Sequence, residues 1–240
     1  LARLRERAGR AGVFLDFDGS LSEIVARPEL ARPVEGAMDV LGALARRYRV
    51  VAIVTGRRSG EVAALLPVRG LEILGVYGLE GAEPELPDDL LRGVEAAAAT
   101  ISGARVEPKG VSIAVHYRQA PDPDAARAAL LEALRAVATE AGLELVEGKM
   151  VLELSPPDRP MKGGAIERAA ERSGLEAVLY AGDDIADLDA FAGLDRLAVR
   201  GIQAIRVAVR GAETPAALIA AADEVVEGPS GLLELLRRLV

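Results

Sequence analysis

The chain has 240 residues, half of them hydrophobic, with a net charge of −8 and no cysteine; it can bury a sizeable core, which excludes a disordered chain, and the missing thiols exclude disulfides, thiolate metal sites and cysteine-based phosphatase chemistry. The acidic balance and scattered arginines exclude nucleic acid as the main partner, and no apolar run reaches the ~18 residues of a membrane span. Leu1–Arg10 alternates arginine with apolar residues and has no signal-peptide core, so a cytoplasmic protein is expected, a monomer or weak homo-oligomer.

In chain order, the run GVFLDF from Gly12 to Phe17 reads as a buried strand, followed by a loop, a helix from about Glu35 to Arg47 and a second apolar strand, VVAIVT, ending at Thr55. A helix from about Arg58 to Leu66 and a strand near Leu71 to Tyr77 continue the alternation. It returns after Lys162 with a helix to Gly174, the strand AVLYAG, a short helix near Leu188 to Phe191, and further pairs to Val240. Alternating strands and helices predict a parallel sheet covered on both faces.

Between these halves the rhythm changes. A helix around Asp88 to Ile101 leads to strands near Arg105 and from Val111 to Tyr117, with Pro108, Lys109 and Gly110 as the turn. Asp122 and Pro123 start a second helix that ends before Gly142, and LELVEGKMVLEL forms another hairpin around Gly148. Helix-strand-strand repeated twice fits a small antiparallel sheet with helices on one face. The expected class is therefore α/β: a doubly wound, Rossmann-like parallel-sheet core in residues 1–82 and 158–240, with an inserted α+β cap in residues 83–157. In VSIAVHY, Val111, Ile113, Val115 and Tyr117 should share one face, and Ser112, Ala114 and His116 the other.

The chemistry gathers at strand ends. Asp16-Phe17-Asp18-Gly19 closes the first strand, at the carboxyl edge where open α/β sheets bind ligands. Strand alternation puts the Asp16 and Asp18 carboxylates on one side, and a divalent cation is the simplest relief of their repulsion. Gly182-Asp183-Asp184-Ile185-Ala186-Asp187 adds three carboxylates at another strand end. Oxygen-only ligation favours Mg²⁺, which typically brings phosphate with it. Thr55-Gly56-Arg57 closes the second strand and Met161-Lys162-Gly163-Gly164 opens a helix, so both present donors to an anion. Arginine occurs 26 times and lysine only at Lys109, Lys149 and Lys162, as if lysine were kept where a compact charge is needed. Nucleophile, metal, proton donor and cationic clamp are what phosphoryl transfer requires.

FLDFDGSL, VTGR, MKGG and AGDDIAD, in this order, resemble the four motifs of the haloacid dehalogenase superfamily, and the insert between the second and third resembles its type-C2 caps. GVSIAVHYR, GKMVLELSPPDRPMKGGAI and GLEGAE are similar to patterns of its trehalose-phosphate phosphatase family. The resemblance implies an Mg²⁺-dependent hydrolase of trehalose 6-phosphate in which Asp16 attacks phosphorus and Asp18 protonates the leaving sugar oxygen, then activates water. It implies that Asp16, Asp183 and the Asp18 backbone carbonyl hold the metal, and that Ser20, Thr55, Gly56 and Lys162 bind the phosphoryl group. Arg57, Glu80, Lys109, His116, Arg118 and Glu153 fall on the sugar side. Glu80 stands where the family more often has histidine, and Leu188 replaces an acidic residue, so other sugar phosphates remain alternatives: sucrose, glucosylglycerol or mannosylglycerate types. A phosphotransferase or mutase, or a non-catalytic sugar-phosphate sensor, are further readings.

Overall fold

A computed structural model describes residues 1–25, 27–80, 86–157 and 161–240. The chain divides into two compact units, Leu1–Gly78 with Pro160–Val240, and Leu79–Arg159. The expected boundary between residues 82 and 83 lies outside the described residues, as does residue 158.

The first unit opens with α1 (Ala2–Glu6), β1 (Ala11–Leu15), α2 (Ala37–Arg47), β2 (Val50–Val54), α3 (Ser59–Leu65) and β3 (Glu72–Leu74). The second unit holds α4 (Asp88–Ala98), β4 (Arg105–Pro108), β5 (Ile113–His116), α5 (Pro123–Glu140), β6 (Glu144–Gly148) and β7 (Val151–Ser155). The first then resumes with α6 (Lys162–Ser173), β8 (Ala177–Gly182), α7 (Asp187–Val199), β9 (Gln203–Arg210), α8 (Ala216–Ala221), β10 (Glu224–Glu227) and α9 (Gly228–Arg237).

The strands of the first unit form one parallel sheet in the order β10-β9-β8-β1-β2-β3. Their alternation serves two cores. Val13 and Leu15 of β1, with Val51 and Ile53 of β2, pack with Leu41 and Leu44 of α2 and Leu232 and Leu236 of α9. Phe14, Val54, Val178 and Tyr180 face the other way, onto Ile166 of α6 and Phe191 and Leu194 of α7. Burial on both faces explains why these strands read as continuous apolar runs. The strand order reverses between β1 and β8, and at such a switch point diverging loops leave a crevice at the carboxyl edge. Asp16 and Asp183 are the residues that follow those two strands.

In the second unit an antiparallel sheet, β4-β5-β7-β6, carries α4 and α5 on one face. Val94 and Ala98 of α4 and Leu130 and Leu134 of α5 pack against Ile113, Val115, Leu152 and Leu154. The Asp122 side chain accepts from the Ala125 amide at 3.0 Å and Pro123 opens α5, the start that the sequence signals. Among the described helices, none is long and apolar enough to cross a membrane.

Several elements differ from the sequence reading. β1 ends at Leu15, two residues short of Phe17, because the chain turns immediately after Asp16 through Gly19 at φ +86°. The expected strand to Tyr77 stops at Leu74 and gives way to a tight turn over Gly75–Gly78. β5 is confined to Ile113–His116, since the turn before it occupies Lys109 to Ser112, closed by the Lys109 amide on the Ser112 carbonyl at 2.8 Å. The short helix at Leu188–Phe191 is instead the longer α7, whose Ala190, Phe191, Leu194 and Leu197 form one buried stripe.

Candidate active site

Three carboxylates converge where β1 and β8 end. Asp16, Asp183 and Asp187 are buried, and each contributes an oxygen to a group lying within 4.8 Å of one another. The ammonium of Lys162 bridges two of them, donating to Asp16 Oδ1 at 2.7 Å and Asp187 Oδ1 at 2.6 Å. Asp187 also accepts from the Tyr180 hydroxyl at 2.5 Å and, through Oδ2, from the Asp184 amide at 2.8 Å. Ser20, fully buried, lies with its hydroxyl 3.5 Å from Asp183 Oδ1.

Local packing explains why Lys162 reaches Asp187. It is the first residue of α6, Asp187 is the first of α7, and these helices meet through glycines. A Cβ on Gly193 would fall 2.6 Å from the Gly163 Cα, so no larger residue allows this approach, and the Gly163 amide donates to Asp189 Oδ2 at 2.7 Å. A Cβ on Gly19 would lie 2.2 Å from Asp183 Oδ2. The loop after β1 thus passes tightly beside the carboxylate that follows β8.

Burial holds the Asp16 carboxyl well above its usual range; Lys162 opposes this, and the neighbouring Asp187 and Asp183 reinforce it. For Lys162, burial works against the charge, but Asp16 and Asp187 outweigh it and hold the ammonium protonated. Ionised together, Asp16, Asp183 and Asp187 would outnumber the one ammonium in a poorly solvated place, and a further cation is what favours that ionised state. The donors are all hard oxygens, a set that fits a divalent cation of the magnesium type.

Asp18 departs from expectation. Strand alternation put its carboxylate beside that of Asp16, but it lies beyond the end of β1 and pairs with Arg57 through two bonds of 2.6 and 2.7 Å. Its side chain is therefore absent from the described carboxylate group. Arg57, expected on the sugar side, stacks over the Phe17 ring at 5.3 Å and donates to the Pro28 carbonyl at 2.9 Å as well as to Asp18. Thr55 is buried, and its Oγ1 accepts from the Arg57 amide at 3.1 Å, making a compact turn around Gly56. Tyr180 and the bonding of Asp187 escape sequence reasoning; the one available signal is a tyrosine inside the otherwise aliphatic strand AVLYAG.

The second unit presents its own polar group on the sheet face away from α4 and α5. Glu153 is buried, accepts from the Ser112 hydroxyl at 2.7 Å and stands 3.9 Å from Lys109 Nζ. His116 Nε2 is 2.5 Å from Glu107 Oε2, and Arg118, just past β5, is partly buried. Glu80 is exposed; Gly81, Ala82 and Glu83 of the GLEGAE stretch lie outside the described residues.

Burial alone would raise the Glu107 carboxyl, but the His116 hydrogen bond and the Lys109, His116 and Arg105 charges hold it at about 2. A depressed carboxyl stabilises the fold above its ordinary value of 4.5, and that stability is lost as pH falls toward about 2. Glu107→Gln is therefore expected to cost on the order of 2–3 kcal/mol near neutrality, with a difference that shrinks as pH falls from 4.5 toward about 2. Urea unfolding of both proteins across that range checks it; a pH-independent gap would mean that the carboxylate charge contributes nothing.

Residues 14–224 match the family model for trehalose-phosphatase. The chain belongs to that family. The trehalose-phosphate phosphatase of Mycobacterium avium is 36% identical over 258 residues, covering 97% of this chain and 63% of that one. The C-terminal domain of C. albicans trehalose-6-phosphate phosphatase shares the fold at a TM-score of 0.79 with 20% identity, covering 99% of this chain and 94% of that one. A HAD-subclass IIB sugar phosphatase shares it at 0.60 with 14% identity over 96% of this chain and all of that one. The first mycobacterial relatives are longer proteins, of which the chain spans 15% in one case and 63% in another.

Proposed function

We propose that the chain hydrolyses trehalose 6-phosphate, with Asp16 as nucleophile and Mg²⁺ as cofactor. The observation that carries this reading is the buried Asp16 at the carboxyl edge of the sheet, hydrogen-bonded to Lys162 and grouped with Asp183. A carboxylate oxygen of Asp16 attacks phosphorus and the bond from phosphorus to the sugar oxygen breaks. Asp18 delivers a proton to that oxygen, then takes one from the water that attacks the phosphorus of the aspartyl-phosphate, which frees inorganic phosphate and restores Asp16. With both oxygens paired to Arg57, Asp18 must exchange that partner for the leaving oxygen to act.

Asp16 and Asp183, with the Asp18 carbonyl that the family resemblance implies, would hold Mg²⁺, which supplies charge neutralisation at the phosphoryl oxygens. Asp187 is less suited to ligation, because both its oxygens already accept hydrogen bonds; its part is to orient Lys162. Lys162, Thr55, Gly56 and Ser20 bind the phosphoryl group. Residues 83–157 act as the specificity cap, with Lys109, His116, Arg118 and Glu153 as the groups that recognise sugar hydroxyls, and Glu80 on the same side.

The test is phosphate release from trehalose 6-phosphate beside a panel of other sugar phosphates, with Mg²⁺ and with chelator. Preferential, chelator-sensitive release from trehalose 6-phosphate is the expected result. Release from another sugar would retain the chemistry and overturn the substrate; release that survives complete removal of divalent metal would overturn the cofactor.

A further inference from the structure

Val76 and Tyr77, in the turn after β3, are left-handed, with φ/ψ of 47°/46° and 56°/29°. This is costly for a β-branched residue and for a bulky aromatic, and it persists only where the surroundings enforce it. The surroundings here are the second motif. The Val76 amide donates to the Arg57 carbonyl and the Tyr77 amide to the Thr55 carbonyl, both at 2.9 Å, so two successive N–H groups bracket Thr55-Gly56-Arg57. The Thr55 amide donates to the Leu74 carbonyl at 3.2 Å, which ties the start of the same turn to β3. Val76 is completely buried, which anchors the step.

The aromatic ring continues the contact. A Cβ on Gly56 would lie 2.7 Å from the Tyr77 hydroxyl and 3.0 Å from its Cζ, so the phenol stands directly over the glycine. The phenol also belongs to the surroundings of Lys162. Glycine at position 56 and tyrosine at position 77 are thus complementary: one lacks the atoms whose space the other fills.

We propose that Tyr77 is a positioning residue of the phosphoryl site, its ring walling Gly56 so that Thr55-Gly56-Arg57 keeps the shape in which it offers donors to an anion. It acts through that turn and, by way of Arg57, on the resting position of Asp18. The proposal rests on the phosphatase reading. It differs from sugar recognition in one respect that an experiment can read: the effect should appear with a phosphate that carries no sugar.

The probe is inorganic phosphate, titrated calorimetrically in Mg²⁺ into the parent, Tyr77→Phe and Tyr77→Asn, with turnover of p-nitrophenyl phosphate measured alongside. Asparagine tolerates the left-handed backbone, so Tyr77→Asn removes the wall without adding strain; Tyr77→Gly serves if that variant does not fold. Phosphate affinity and p-nitrophenyl phosphate turnover are expected to fall about tenfold in Tyr77→Asn, while Tyr77→Phe, which keeps the ring, stays within about twofold of the parent. Parental affinity in Tyr77→Asn overturns the proposal, and so does an equal loss in Tyr77→Phe, which would make the hydroxyl the active feature. A parent that neither bound phosphate nor turned over p-nitrophenyl phosphate would overturn the phosphatase reading first, and this assignment with it.

Discussion

Asp16→Asn is expected to reduce phosphate release to background, a loss of at least about 1000-fold, while leaving the fold intact. The amide has the shape of the carboxylate and can still accept from Lys162, which donates to Asp16 Oδ1 at 2.7 Å. It cannot form the acyl phosphate, so the loss should fall on turnover and not on substrate binding. Stability gives a second readout. Burial, with Asp187 and Asp183, raises the Asp16 carboxyl above its ordinary value of 3.8 against the pull of Lys162. An acid whose folded value is raised costs stability above its ordinary value, and an amide at this position removes that cost. In metal-free buffer Asp16→Asn should therefore unfold no earlier than the parent, by circular dichroism. Phosphate release near the parental rate would rule out Asp16 as the nucleophile.

The parts of this site that the sequence discloses are those at the junctions of elements. Asp16 follows an apolar run, Asp183 follows AVLYAG, and Lys162 precedes an amphipathic helix; each is marked by a local change of pattern that survives folding. Residues whose role depends on where a strand stops are harder to read. A strand reaching Phe17 would set Asp18 beside Asp16, whereas β1 ends at Leu15 and the Asp18 carboxylate turns to Arg57. Pleat alternation has no authority past the last paired residue.

Tertiary pairs are hidden for a different reason. Tyr180 sits in a strand buried on both faces, where an aromatic reads as core, and indeed its ring meets Phe191 edge-on at 6.3 Å. Its hydroxyl reaches Asp187 because α7 starts just beyond the end of β8, a distance that no periodicity encodes. The Glu107–His116 pair depends on register. Arg105 faces His116 and Glu107 faces Ala114 across β4 and β5, so Glu107 and His116 are diagonal neighbours. Placing the turn at Pro108 to Gly110 instead of Lys109 to Ser112 obscures that relation.

Lys162→Met tests what holds the carboxylate group together when no metal is bound. Methionine keeps an unbranched side chain of similar length and removes only the ammonium, so packing against α7 should survive. Two carboxylates then lose their cation: the side chains of Asp16 and Asp187 are 8% and 0% exposed, and that of Lys162 is 5% exposed. Removing one partner of a buried pair typically costs about 3–5 kcal/mol, because the remaining charge has no solvent to return to. Asp187 keeps the Tyr180 hydroxyl and the Asp184 amide, so the larger share should fall on Asp16. The expected result is a marked loss of stability in chelator and a partial recovery in Mg²⁺, since a cation that binds only the folded carboxylates stabilises in proportion to the logarithm of its concentration. Turnover should not recover with stability, because the phosphoryl oxygens would still lack their ammonium. Denaturant unfolding with and without Mg²⁺ separates these effects. A loss below about 1 kcal/mol in chelator would mean that the carboxylates are neutral or solvated without Lys162 and that the ammonium does not hold them together.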